Sequence, residues 1–314
     1  MAPEVSVVVP TYNRLDVLPE VLDALEAQRD APSYEILVVN DGSGEDTVSF
    51  LDQRSFRRPA RVIHQDNAGP AAARNAGVQA ASGRWVAFLG DDTVPQEGWL
   101  AAHREAHRRF GDEENIAVIG YTQWHPRMRL NPFLDHINEH GLQFGYALID
   151  QPDEVPFNFF YTSNLSLHRE LLLAEPFDTR FPYAAWEDIE TSYRLSQRRG
   201  MRLIYEQRGV THHDHPTDLG RFAQRQEKAG YSAVVFYGLH PELGGFLGLG
   251  PEGPPPLPPT GLRALPTAAS RWLARSLLTL SVPVALPRLW ESLLREDYIR
   301  GLHRGWQDRA HQID

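Results

Sequence analysis

The sequence predicts an α/β fold, a doubly wound and mostly parallel sheet, followed by a helical C-terminal appendage. Three observations lead there. Short β-branched runs alternate with longer helical patterns over the first 120 residues, as chains of βαβ units do. Runs such as Ile36-Leu37-Val38-Val39 are apolar at every position, which suits strands covered by helices on both faces. The charge sign also changes along the chain: residues 261–314 carry eight arginines against five acids, whereas the whole chain has a formal net charge of −10.

Strands are predicted at 5–9, 35–40, 61–64, 85–89 and 117–121. Helices are predicted at 15–28, 70–80 and 98–110; the first has apolar residues at 15, 18, 21, 22 and 25, one face of a helix. From 123 to 183 the pattern becomes irregular and rich in His, Pro, Phe and Asn, which suggests long loops around a site. A helix over 187–199 and a short strand at 203–205 follow. Six prolines fall between 244 and 261, so 244–260 reads as a stiff linker. In the appendage, Leu289, Trp290, Leu293, Leu294, Tyr298 and Leu302 recur at helical spacing with Arg288, Arg295, Arg300 and Arg304 beside them. Such a stripe packs on protein, or lies on an anionic membrane surface.

Composition excludes several classes. Of 31 basic residues only Lys228 is a lysine, so no Walker-type Gly-Lys phosphate loop exists. An acidic chain lacks the electrostatic footprint of nucleic-acid binders. With no cysteine, disulfides, thiol nucleophiles and iron–sulfur clusters are out. Met1-Ala2-Pro3-Glu4 leads straight into Val5-Ser6-Val7-Val8-Val9 with no basic leader region, so a cytoplasmic chain is expected, and Asn164-Leu165-Ser166 is then an idle glycosylation sequon. The apolar stretch 276–287 holds two prolines and is shorter than the roughly 20 residues that span a bilayer. Gly248-Leu249-Gly250-Pro251-Glu252-Gly253 matches the dinucleotide fingerprint in letters, but it follows no strand and opens no helix, so it carries no cofactor prediction.

Aspartates cluster at predicted strand ends: Asp41-Gly42-Ser43 after the second strand and Asp91-Asp92 after the fourth. That end of a parallel sheet forms the ligand crevice. A strand-end aspartate also serves as a helix cap or turn residue, so both readings stay open for Asp41 and Asp91. Two adjacent carboxylates, however, call for a cation or a raised pKa, and a hard divalent ion held by oxygen suits them.

The sequence resembles glycosyltransferase family 2, inverting enzymes of the GT-A fold that use nucleotide sugars. The resemblance rests on Val7-Val8-Val9-Pro10-Thr11-Tyr12-Asn13-Arg14, Val38-Val39-Asn40-Asp41-Gly42-Ser43, the segment Asn67 to Gly77, Phe88-Leu89-Gly90-Asp91-Asp92 and Trp186-Glu187-Asp188-Ile189-Glu190. In order and spacing it covers about residues 5–215.

The resemblance implies a catalytic domain at 1–243, with a nucleotide-binding half (1–122) and an acceptor and catalytic half (123–243), ahead of the linker and a helical module at 261–314. It implies nucleobase and ribose contacts from Pro10, Thr11, Tyr12, Arg14 and Asp41, and nucleotide contacts from Asn67, Gly69 and Arg74. Asp91 would meet ribose, and Asp92 would hold Mg²⁺ or Mn²⁺. Gly90 stands where the family's Asp-x-Asp motif has its first aspartate. Asp188 matches the general base, with Glu187 in support and Trp186 or Trp124 as sugar platforms. Within His212-His213-Asp214-His215, His212 fits the metal or diphosphate position best, with His213 and His215 as alternates.

The implied reaction transfers a sugar from a UDP, GDP or dTDP donor to a hydroxyl acceptor on a glycan, lipid or small molecule, as in polysaccharide biosynthesis. Two other readings compete: a nucleotide-sugar-binding relative with weak catalysis, suggested by Gly90, and a sugar-1-phosphate nucleotidyltransferase. Pro10-Thr11-Tyr12-Asn13 is not the glycine-rich basic loop the latter needs. Residues 261–314 are the expected place for a homodimer contact or for peripheral attachment to the inner face of a membrane.

Overall fold

A computed structural model describes residues 2–257, 265–279 and 286–310. Two compact units emerge, one formed by 1–128, 143–179 and 187–215, the other by 129–142, 180–186 and 216–314.

The first unit is built on one eight-stranded sheet. Its strands are β1 (Val5–Thr11), β2 (Tyr34–Asp41), β3 (Ala60–Gln65), β4 (Trp85–Leu89), β5 (Thr93–Pro95), β6 (Ile116–Trp124), β7 (Asn164–His168) and β8 (Arg202–His213), in the order β3-β2-β1-β4-β7-β6-β8-β5. The run β3-β2-β1-β4 is parallel. β7 is antiparallel to both β4 and β6, β6 and β8 are parallel, and β5 is antiparallel to β8. Helices α1 (Leu18–Glu26), α2 (Glu45–Gln53), α3 (Gly69–Ala80), α4 (Trp99–Arg109), α6 (Arg169–Ala174) and α7 (Glu187–Arg199) belong to this unit.

Every residue of β2 and β4 is buried, as the uninterrupted apolar runs require. Two apolar clusters divide the alternate side chains of β1, β2 and β4: Val8, Leu37, Val39 and Phe88 lie in one, Val7, Val9, Val38 and Leu89 in the other.

The expected short strand at 203–205 is in fact the twelve-residue β8. It continues because a bulge opposite Gly120 and Tyr121 restores pairing as far as His213, and bulges re-aim the side chains that follow. β7, unread in the sequence, fills the centre of the sheet. The sequon Asn164-Leu165-Ser166 lies buried within it; Asn164 accepts a bond from Trp99 Nε1 at 2.7 Å and donates to the Gly209 carbonyl at 2.9 Å.

The second unit contains α5 (Pro132–Glu139), α8 (Leu219–Leu239), α9 (Leu265–Thr279) and α10 (Pro287–Ala310). α8, which the sequence places before a boundary at 243/244, groups with the C-terminal helices. Chain 244–257 makes contacts within the second unit. Leu247 and Leu249 are buried, Tyr298 donates to the Leu247 carbonyl at 3.0 Å and His303 Nε2 reaches the Pro255 carbonyl at 2.6 Å; residues 258–260 lie outside the described part.

The α10 stripe is an internal packing face. Trp290, Leu293, Leu294 and Leu302 are buried, each contributing about 1.5–3 kcal/mol. A β-carbon on Gly301 would lie 1.9 Å from the Glu227 carbonyl oxygen, so α8 and α10 approach at backbone distance. On α9, by contrast, Trp272 is 71% exposed. No helix among the described residues is long and apolar enough to cross a membrane.

Candidate functional site

Asp92 follows β4 and immediately precedes β5, where Thr93 pairs with His213 and the Asp214 amide donates to the Asp92 carbonyl at 2.8 Å. This pairing draws two histidines onto one carboxylate. Asp92 Oδ2 lies 3.4 Å from His213 Nε2 and 3.0 Å from His215 Nδ1, and the three residues offer ligand atoms within 4.8 Å of one another. Arg14 Nη2 approaches the same oxygen at 3.4 Å. Trp124 stacks on the His213 ring, centroids 5.3 Å apart, while the buried His213 Nδ1 has no hydrogen-bond partner.

His212 is not in this cluster, which its two alternates form with Asp92. Alternation along a strand sends neighbouring side chains to opposite faces. His212 therefore sits beside Gln123 and Gln96, at 3.0 and 3.3 Å from their Nε2 atoms, while 213 and 215 share the face toward Asp92. Reading β8 through to His213 would have made this alternation visible in the sequence.

Asp91 accepts from the Tyr12 amide at 3.3 Å. Burial, and then the charge of Asp92, push its carboxyl up to about 7. Burial acts on Asp92 too, but His213, His215 and Arg14 outweigh it and hold that carboxyl well below the usual range. A β-carbon on Gly90 would stand 2.7 Å from Thr93 Oγ1 and 3.1 Å from Asp92 Oδ1, so any larger residue there would displace the Thr93 side chain.

Asp41 is buried and committed within the fold. Its carboxylate accepts from Gln65 Nε2 at 2.7 Å and from the Ala68 and Gly69 amides, each at 2.9 Å. It thus caps the start of α3, whose first amides need acceptors. Asn67 donates to the Asp41 carbonyl at 3.0 Å. The loop after β1 is fastened to the loop after β2, with Asn13 accepting from the Gly44 amide at 2.9 Å and donating its own amide to Ser43 Oγ at 3.0 Å. Beside this junction opens a cleft of about 580 Å³ lined by Asn13, Arg14, Asp16, Gly44 and Asp46 among others. Thr11 is buried, and Tyr12 is 51% exposed; Pro10 lies in β1 opposite Val39 of β2.

Asp188 occupies the first turn of α7. It accepts from the Ile189 amide at 2.9 Å and, loosely, from the Thr162 amide at 3.5 Å. Burial, and next the charge of Glu187, push its carboxyl up to about 6, against the pull of Arg74. Arg74 itself is paired with the buried Glu187 at 2.8 Å, an ion pair beside the base candidate. The peptide at 162–163 links the two carboxylate centres: Thr162 faces Asp188, and the Ser163 carbonyl accepts from the Gly90 amide at 3.1 Å. Nearby, Tyr161 donates to the Phe144 carbonyl, and the Phe144 ring lies 5.7 Å from that of His213. No sequence signal marked Thr162 or Phe144.

Trp186 is not presented as a free platform. Its indole donates to the Ala229 carbonyl at 2.9 Å and its ring packs near Phe236 and Phe246, all within the second unit. Its φ of 73° is an outlier for a bulky residue, at the position that leads into Glu187 and Asp188.

A profile described as Glycosyl transferase family 2 matches residues 6–172. Among curated relatives, a chondroitin synthase of Escherichia coli is 25% identical over 261 residues, 73% of this chain and 37% of its own length. A validoxylamine A glucosyltransferase of Streptomyces hygroscopicus subsp. limoneus is 30% identical over 226 residues, 62% of this chain and 48% of its own. The chain thus spans less than half the length of these relatives. Among solved structures, a mannosyltransferase from Pyrobaculum calidifontis in complex with GDP-Man and Mn²⁺ superposes with a TM-score of 0.59 at 20% identity, covering 98% of this chain and 88% of that one.

Proposed function

The chain belongs to glycosyl transferase family 2, and we propose that it moves a sugar from a nucleoside diphosphate to an acceptor hydroxyl with inversion, Asp188 acting as general base. One observation carries this reading: Asp188, raised to about 6, stands across the 162–163 peptide from a carboxylate–imidazole cluster fit for a cation. A base of that pKa is charged at neutral pH and still takes a proton readily. As the acceptor oxygen attacks the anomeric carbon, Asp188 receives the hydroxyl proton. The bond from that carbon to the diphosphate oxygen breaks from the opposite face, and the nucleoside diphosphate leaves with the electron pair.

Asp92, His213 and His215 would hold the divalent ion; the convergence of three donor atoms fits such a group. Bound there, the ion offsets negative charge developing on the leaving diphosphate. Two imidazoles with one carboxylate favour Mn²⁺ over Mg²⁺, which prefers all-oxygen shells. Pro10, Thr11, Tyr12 and Asp91 would line the nucleoside, with Asn67 and Gly69 at the edge of its pocket. The test incubates the protein with UDP-, GDP- and dTDP-sugars and Mn²⁺ and follows the anomeric proton by NMR. Product of inverted configuration supports the reading, and retained configuration or absence of turnover with every donor sinks it.

The membrane role expected of 261–314 attaches to α9, since the stripe of α10 is used internally. Between Glu252 and Glu291 the chain carries four arginines and no acid, and Trp272 and Leu273 are exposed within that span. An anionic bilayer surface is the complementary occupant. Flotation with vesicles containing phosphatidylglycerol is expected to carry the wild type but not Trp272→Glu; a wild type that ignores vesicles, or self-associates through this face, overturns it.

A further inference from the structure

Arg14 stands among the three candidate cation ligands and holds them loosely, its contact of ordinary hydrogen-bond length being to a backbone carbonyl rather than to a ligand atom. Its Nη2 lies 3.4 Å from Asp92 Oδ2 and 3.1 Å from the Asp214 carbonyl oxygen, and its Nη1 is 3.3 Å from His215 Nδ1. Charge-assisted bonds of this kind normally close to about 2.7–2.9 Å. The trio is also mismatched in hydrogens. His215 Nδ1 lies 3.0 Å from Asp92 Oδ2, a contact that needs a proton on Nδ1. The guanidinium N–H then meets another N–H. With the proton on the other ring nitrogen, Arg14 gains an acceptor but imidazole and carboxylate lone pairs face each other. No tautomer of His215 satisfies all three groups.

A divalent ion in place of the guanidinium resolves the conflict, because both the Nδ1 lone pair and the carboxylate then point at positive charge. We propose that Arg14 is the resident counter-cation of the Asp92–His213–His215 cluster, displaced when the divalent ion binds, and that a nucleoside diphosphate assists the exchange by giving the released guanidinium phosphate oxygens to grip. Arg14 is suited to the exchange. It sits on the loop after β1, its side chain keeps about a fifth of its surface exposed, and it borders the cleft of about 580 Å³. A guanidinium also pairs with phosphate bidentately. Metal and nucleotide thereby become coupled ligands: each binds better once the other has drawn Arg14 away or filled its place.

The proposal rests on the cation reading above, and its test requires no turnover. Mn²⁺ binding to the full chain is measured by the loss of free Mn²⁺ signal in electron paramagnetic resonance, alone and with UDP, GDP or dTDP in turn. Arg14→Gln is expected to bind Mn²⁺ alone about tenfold more tightly than wild type, within the usual range of coupling factors, and to lose most of the strengthening a nucleoside diphosphate gives the wild type. Arg14→Lys, which keeps the charge without the fork, should fall between the two. Without ions Arg14→Gln should melt below the wild type, and Mn²⁺ should raise its Tm by more. Equal or weaker Mn²⁺ affinity in Arg14→Gln overturns the proposal. So does undiminished Mn²⁺ binding in Asp92→Asn, which would place the ion elsewhere while leaving transfer by Asp188 open to its own test.

Discussion

Asp41 and Asp92 both follow strands of the parallel region, yet the fold uses them differently. Asp41 finds the first amides of α3 within reach and accepts from Ala68, Gly69 and Gln65. Asp92 finds no helix start: the chain turns directly into β5 and reaches α4 only at Trp99. Its neighbours are instead the imidazoles of His213 and His215 and the guanidinium of Arg14. A strand-end carboxylate is therefore absorbed as a cap where orphan amides are close, and stays available to a ligand where side chains rather than helix amides surround it.

The largest effect is expected at the base candidate. Asp188→Asn should lower kcat by roughly 10²–10⁴ while nucleotide affinity holds; turnover near wild type removes Asp188 from the base role. Next, Asp92→Asn should weaken Mn²⁺ binding by at least about tenfold with little change in Tm. Asp41→Ala should do the reverse, costing about 1–3 kcal/mol in denaturant unfolding because two amides lose their acceptor, with Mn²⁺ affinity kept. If both variants lose the same property, the contrast between cap and ligand collapses.

A smaller effect lies in pH. Because the Asp188 carboxyl is raised to about 6, the base is charged above that pH, so kcat should fall as pH drops through about 6. Glu187→Gln removes the neighbouring negative charge and frees Arg74 to act on Asp188, so the acid limb should move to lower pH; a limb that stays in place detaches the titration from Asp188. The smallest effect is expected from His212→Ala, which faces Gln96 and Gln123 and should leave Mn²⁺ affinity unchanged, whereas His213→Ala should lower it.

Local pattern carried the first half of the chain far. The parallel strands appear where apolar runs predicted them, and α7 spans 187–199 as read, because its apolar and charged periodicity is a property of consecutive residues. The Asp41, Asp91-Asp92 and Glu187-Asp188 positions were legible for the same reason, each lying beside a recognisable element end. Hidden were β7, the length of β8, the membership of α8 in the second unit, and the α10 stripe's partner.

What the sequence by itself determined is which residues stand at strand ends and helix starts, since hydrophobic period, turn residues and caps act over a few positions. Tertiary structure alone decided which of those residues meet. Pairing of Thr93 with His213 joins segments 120 residues apart, the bulge in β8 selects the histidines that face Asp92, and the start of α3 claims Asp41. These are choices of register and packing between distant segments, and a one-residue change of register turns every side chain to the other face; no local pattern encodes that.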